Sequence, residues 1–196
     1  MVIVPHIAAV SYLDTMPFLY GIKHEKNFRA ELSLSDFTTV ISDFVEHKAD
    51  IALVPVHVVP TLEDARIITE YCVGYSGSDL DADYYPIVNP HAPNYRYFDG
   101  DHAPLAPLLD LDESWAYAVW VAHKDVDLDV IEGLQYALTY GMEHLYEALL
   151  DEGIEDVEEA YDHLMHLDFL YDEQKEETLK KFWNTGLKVP LRVQPG

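Results

Sequence analysis

The sequence predicts an α/β fold in which a mostly parallel sheet is flanked by helices, and three observations predict it. Continuous apolar runs, IAAV at 7–10 and IALV at 51–54, are of the kind used by strands buried on both faces. Between them, Phe37, Val40, Ile41, Phe44 and Val45 recur at helical spacing. Strands that alternate with helices at this interval call for parallel pairing and right-handed crossovers.

The segment 7–21, IAAVSYLDTMPFLYG, carries a strand, a polar turn and a helix start in succession. Thr15 is placed as an N-cap, and Pro17 falls among the first helical positions, where its missing N–H costs nothing. Gly21 is positioned to close that helix in the left-handed conformation. Such a turn aims unpaired amides and the positive end of a helix dipole at whatever binds above the carboxyl end of the strand. Residues 30–34 read as a second strand, and Ser35 or Asp36 caps the helix that follows. Residues 50–54 form a third strand, 55–62 a short helical segment beyond its carboxyl end, and 66–73 a fourth strand.

From 75 to 114 the character changes. Prolines at 86, 90, 93, 104 and 107 break any periodicity, yet Tyr84, Tyr85, Tyr95, Tyr97 and Phe98 argue for a cover packed on something rather than a free loop. A return strand spans 115–122. One long helix is expected from about 128 to 150, ended near Gly153, with Val130, Leu134, Leu138, Met142, Leu145 and Leu149 on one face. A second helix carries Val157, Tyr161 and Leu164. A third runs from Asp172, as N-cap, through Leu179, Phe182 and Trp183 to a stop at Gly186.

Composition narrows the function classes. Of 196 residues, 49 % are hydrophobic and 12 % aromatic, which excludes wholesale disorder and is enough for a sizeable core. No apolar run reaches the roughly 20 residues a membrane helix needs, and the opening MVIVPHIAAV lacks the basic n-region and length of a signal peptide. A cytoplasmic location is therefore expected. The single Cys72 cannot form an internal disulfide. A formal net charge of −24, from 36 acids against 12 bases, excludes nucleic acid and anionic membrane surfaces as partners, since both need a basic face. A salt-rich cytoplasm and an engineered origin both account for so acidic a surface.

Four blocks carry a resemblance: the segment 7–21, DIALVPV at 50–56, EYCVG at 70–74 and YAVWVAH at 117–123. In this order they resemble the menaquinone-biosynthesis family that includes chorismate dehydratase of the futalosine pathway and its sister enzyme acting on dehypoxanthine futalosine. The tail, with Gly186, Leu187, Val189, Pro190, Leu191 and Arg192, resembles that family's C-terminal ending. The resemblance implies one lobe of a type II periplasmic-binding-protein-like fold. The discontinuous main lobe would comprise 1–80 and 115–196, and 81–114, too short for the family's whole second lobe, would be a reduced second lobe or cover.

The activity it implies is a carbon–oxygen lyase reaction without a cofactor, in which chorismate loses water to give 3-enolpyruvyl benzoate. The implied cleft gathers the turn at 11–15, the start of the segment at Pro55 and the loop at 74–81 around a small anionic carboxylate. Ser11, Asp14 and Asp81 are the candidate catalytic residues, and Tyr12, Thr15, Phe18, Pro55, Val56 and Gly74 the candidate substrate-binding ones. Ser11 and Thr15 suit a capping role equally well, and Tyr12 and Phe18 suit core packing.

Two departures fall where activity is decided. Asp14 stands where the family's SYLN turn has Asn, and Asp81 stands at or near its hydroxyl residue. Two ionised carboxylates beside a dianion cost on the order of a few kcal/mol unless a proton or a cation intervenes. The alternative function, of a different class, is a non-catalytic single-lobe ligand-binding or scaffold protein, engineered or designed relatives of this fold included.

Other chemistries find less support. His6, His57, His91, His102 and His123 with Asp14, Asp79, Asp81, Asp83, Asp99 and Asp101 supply metal-ligand types, and His163 and His166 sit one helical turn apart, but no glutamate-flanked zinc signature accompanies them, so no metal is expected. Ser11, Ser76 and Cys72 lack a G-x-S-x-G context for hydrolase chemistry. The acidic surface predicts that the melting temperature rises between low and near-molar sodium chloride, as repulsion among the acids is screened. A thermal melt series in that salt checks it, and a fall in melting temperature contradicts it.

Overall fold

The computed structural model describes residues 4–76 and 114–184. Residues 77–113, which hold nearly all of the expected cover with Asp81, Asp99, Asp101 and His102, and the tail beyond Asn184 lie outside these described residues. The elements run β1 (His6–Ala9), a 3₁₀ turn (Leu13–Thr15), α1 (Met16–His24), β2 (Glu31–Leu34), α2 (Phe37–Val45), β3 (Ile51–Pro55), a 3₁₀ segment (Val56–Thr61) and β4 (Ala65–Tyr75). After residues 77–113 come β5 (Trp115–His123), α3 (Leu128–Met142), α4 (Leu145–Asp151), α5 (Val157–Met165) and α6 (Glu173–Asn184).

The five strands form one sheet in the order β2-β1-β3-β5-β4. β1 pairs in parallel with β2 and β3, while β5 runs antiparallel to both β3 and β4. Four strands therefore share one direction, and the return strand alone opposes them, slotted between β3 and β4. All nine residues of β5 are buried, as are all five of β3, with Leu53 opposite Trp120. A strand with neighbours on both edges and helices on its faces has no polar side to show, which is why these runs are continuously apolar.

Local signals set most boundaries. Asp36 caps α2, its carboxylate accepting the Thr39 amide at 2.7 Å, and Asp172 likewise accepts the Lys175 amide at 2.9 Å at the start of α6. Two expectations need correction. Gly21 does not close α1, which runs on to His24. It is where α1 crosses α3: a Cβ on Gly21 would lie 1.9 Å from the Ala137 carbonyl oxygen, and one on Gly141 would lie 1.8 Å from that of Pro17. Only hydrogen at both positions allows the two backbones so close.

The long helix expected over 128–150 is two helices. At His144 the backbone leaves the helical region, with φ −128°, and its ring Nδ1 donates to the Tyr140 carbonyl at 2.7 Å. With α3 held against α1 at Gly141, the bend lets Leu149 of α4 stay in the core. In β4 the pairing with β5 shifts between Ile67 and Cys72, and Thr69 takes a positive φ of 67°. The Glu70 amide released from the ladder donates to Gln135 of α3, and the Tyr71 hydroxyl meets Thr139. The irregularity thus docks α3 on the edge of the sheet.

Leu53 sits at the centre of this sheet with no exposure. Leu53→Ala should lower stability by about 2–5 kcal/mol in equilibrium urea denaturation, and a loss under ~1 kcal/mol would remove β3 from the core.

Candidate functional site

The carboxyl ends of β1, β3 and β4 and the start of β5 lie side by side along one edge of the sheet, because β5 runs opposite to the rest. Ser11, Tyr12, Asp14 and Thr15 follow β1, Pro55 and Val56 end β3, and Gly74 lies near the end of β4, so this edge gathers those predicted residues. All are buried. Within the turn, Thr15 Oγ1 accepts the Tyr12 amide at 2.9 Å and donates to the Val10 carbonyl at 2.8 Å, which ties the helix start back to the strand. Its hydroxyl is engaged inside the turn, in keeping with a local bracing role.

Tyr12 faces the ring of Phe37 at 5.5 Å, and Phe37 faces Tyr117 of β5 at 6.4 Å, so an aromatic wall stands at the edge. Phe18 lies deeper. Its ring contacts Trp120 and Phe169 edge-on at 6.0 and 5.6 Å, within the core. The Val56 carbonyl accepts the indole N–H of Trp183 at 2.9 Å, which fastens α6 over the end of β3. A Cβ on Gly74 would fall 2.4 Å from the Trp115 carbonyl oxygen and 3.0 Å from Lys175 Cε, so Gly74 is a close-approach position.

Asp14 is 1 % exposed. Its Oδ1 accepts from His163 Nε2 at 2.8 Å, an imidazole delivered by α5 from 149 residues along the chain. A carboxylate removed from water needs such a donor. Nothing in the sequence joins the two positions. Helical spacing pairs His163 with His166 instead, but His166 turns its Nδ1 to the Asp162 carbonyl at 2.6 Å. Among the described residues no group of three or more His, Cys, Asp or Glu is arranged to hold a metal.

Two further groups at this edge were not singled out as site residues. Lys175 of α6 has no exposure, and its ammonium contacts Asp168 at 2.7 Å and Asp172 at 3.8 Å. Burial acts to raise the Asp168 carboxyl, but hydrogen bonds from Lys175, the Leu170 amide and Ser76 outweigh it and hold the pKa below its ordinary value. Ser114, on the other side of the cover, donates to Gln174 of α6 at 3.3 Å. The second group is His57, in the 3₁₀ segment after β3. It is 9 % exposed, neither ring nitrogen has a hydrogen-bond partner, and burial lowers its pKa to about 4.

A separate groove of about 570 Å³ lies at the far end of α1, lined by Glu25, Asp129, Glu132 and Glu143 with Tyr136 and Tyr140. Its carboxylates oppose an anionic ligand, and it shares no residue with the carboxyl edge.

No protein-family model matches the sequence, and none of the curated proteins does. Solved structures do match. A protein from Archaeoglobus fulgidus superposes with a TM-score of 0.65 at 16 % identity, covering 95 % of this chain and 98 % of that one. A Candida albicans gene product, described as defining a family with the generic periplasmic binding protein fold, gives a TM-score of 0.60 at 12 % identity over 96 % and 90 %. An ABC transporter protein from Parabacteroides distasonis gives 0.60 at 9 % identity over 97 % and 95 %. The fold is periplasmic-binding-protein-like. In open α/β sheets generally, loops at the carboxyl ends of strands converge to form a crevice, and the residues gathered here lie at such ends. No helix among the described residues is long and apolar enough to cross a membrane.

The Lys175–Asp168 pair holds α6 beside Ser76, and the neighbouring Gln174 holds it to Ser114. Lys175→Met should cost about 1.5 kcal/mol, since it removes one charge-assisted hydrogen bond to a part-exposed carboxylate that keeps the Leu170 amide and Ser76 as donors. An unfolded Asp carboxyl titrates near 3.8 and the folded Asp168 lower, so the pair's contribution is complete above about pH 4 and is lost as pH falls through the folded value. Urea midpoints measured from pH 6 down to 2.5 should show a shallower acid limb in the variant than in the native chain.

Proposed function

We propose that this chain binds a small carboxylate-bearing molecule at the carboxyl edge of its sheet, with chorismate as the first candidate. What supports this is the fold together with one arrangement, the Asp14–His163 pair set in the turn after β1. Of the two carboxylates that oppose an anionic ligand, Asp14 and Asp81, Asp14 lies among the described residues. The His163 imidazole at 2.8 Å occupies one carboxylate oxygen with a hydrogen bond, so that oxygen is turned to a protein donor rather than to the ligand. Tyr12 and Tyr117 supply apolar surface for a ring, and Ser11 a hydroxyl for a carboxylate.

A second reading, chorismate dehydration, is favoured by the same pair. A carboxylate that holds an imidazole by one nitrogen is an acid–base device. In the dehydration a proton leaves the ring carbon next to the departing hydroxyl, its electron pair forms the new double bond, and the hydroxyl departs as water after taking up a proton. Asp14 and His163 would move those protons, and Asp81 belongs to this reading as the further candidate acid. The rival is a binding or scaffold protein that performs no step.

Calorimetric titration with chorismate, with 3-enolpyruvyl benzoate followed by chromatography, tests both readings. Binding is expected in the millimolar range, near −4 kcal/mol, and should strengthen with added salt because the protein's overall negative charge is screened. Turnover that vanishes in Asp14→Asn and His163→Gln while binding persists establishes the dehydratase. Binding without product in the native chain leaves the non-catalytic protein, and no binding refutes the proposal.

A further inference from the structure

We infer that His57 is a ligand-contacting residue of the carboxyl-edge site, its imidazole making a hydrogen bond to an oxygen of the bound carboxylate. The inference deepens the proposed carboxylate-binding function and rests on it. Buried side-chain nitrogens in folded proteins are almost always paired, and an orphan calls for an explanation. His57 presents two of them on one ring. Position supplies the explanation. His57 follows Pro55 and Val56 immediately, beyond the carboxyl end of β3, the strand flanked by β1 on one side and β5 on the other. The turn that carries Ser11, Tyr12 and Asp14 leaves β1 at this same edge, and Trp115 and Tyr117 enter β5 there.

The backbone around the ring is firmly held, because the Val56 carbonyl is fixed by Trp183 and the Thr61 hydroxyl donates back to the Val58 carbonyl at 2.6 Å. The ring is therefore kept in a dry place by a rigid segment, without protein partners for its polar atoms. That is a poor solution for stability alone, since an apolar side chain of similar size would avoid the desolvation cost. It is a good solution for recognition. A neutral imidazole offers one N–H donor and one lone pair, and burial keeps it neutral at pH 7. Against a carboxylate the N–H donates, and if a proton is taken up on binding both nitrogens become donors.

The test separates this inference from the function it rests on. Chorismate and benzoate are titrated onto the native chain, His57→Leu and His57→Gln, and urea midpoints are measured for all three. The expected result is a His57→Leu midpoint equal to or above the native one, together with at least a tenfold loss of affinity for whichever probe binds, and partial rescue by His57→Gln. Native-like affinity in a folded His57→Leu overturns the role of His57 while leaving carboxylate binding intact. Failure of the native chain to bind either probe refutes the binding function and this inference with it. Should His57→Leu fail to fold, the ring ¹⁵N resonances of His57 in the native chain decide the matter. A shift on saturation with the probe supports the contact, and unchanged resonances, as an internal water on the ring would give, overturn it.

Discussion

The fold depends on β5 entering between β3 and β4. These two strands are next to each other in sequence but not in the sheet, and the gap between them is filled by a strand that follows the whole cover. Filling it requires closing a long loop, whose entropy grows only slowly with length. What rewards closure is the burial of Trp115–His123 along its full length, with Trp120 set against Phe18 in the core. The rest is arranged around that insertion. Gly74 has no side chain because β5 and α6 come too close, and Phe169 and Leu170 pair along the outer edge of β4. An edge strand left bare would be open to pairing with another chain, and this short antiparallel addition covers part of it.

What could be read from the sequence was what the sequence decides locally. The buried strands announced themselves as unbroken apolar runs, and Asp36 and Asp172 as caps, because a cap is a contact between residues three apart. The turn at 11–15 was legible in outline and Thr15 does stand at the N-cap position of α1, but its hydroxyl makes no cap bond and turns back to Tyr12 and Val10 instead. Gly21 was misread because a glycine late in a helix has two uses, and only the position of α3 shows which applies. The bend at His144 depends likewise on where α1 holds α3. The partner of Asp14 was beyond reach, since nothing near position 14 points to position 163.

Charge makes the few cations informative. With acids outnumbering bases three to one, a lysine on the surface would be surrounded by attraction, yet Lys175 is wholly buried beside Asp168 and Asp172. A buried ion pair is weak evidence of stability by itself, because desolvation opposes the Coulomb gain. Its placement is more telling. Lys175 and Gln174 are neighbours on α6, and through Asp168 and Ser114 they engage the two points where the cover leaves and rejoins the sheet. The pair therefore fixes the geometry of that junction.

The carboxyl edge also shows a contrast between groups whose polarity is answered within the protein and a ring whose polarity is not. Among the described residues His57 is the one buried imidazole with neither nitrogen partnered, whereas the other unanswered atoms, such as Trp120 Nε1 and Arg66 Nε, are single atoms. Asp14 is answered by His163, Asp168 by Lys175, and the Thr15 hydroxyl by its own turn. Each of these lowers the free energy of the folded chain relative to leaving the group alone in the interior. His57 is not answered by the protein. A chain that pairs its buried acids so consistently at one edge, and leaves an imidazole unpaired at the same edge, has kept there a hydrogen-bonding capacity that folding does not use. In the proposed binding function that capacity is what the oxygens of a small carboxylate would use.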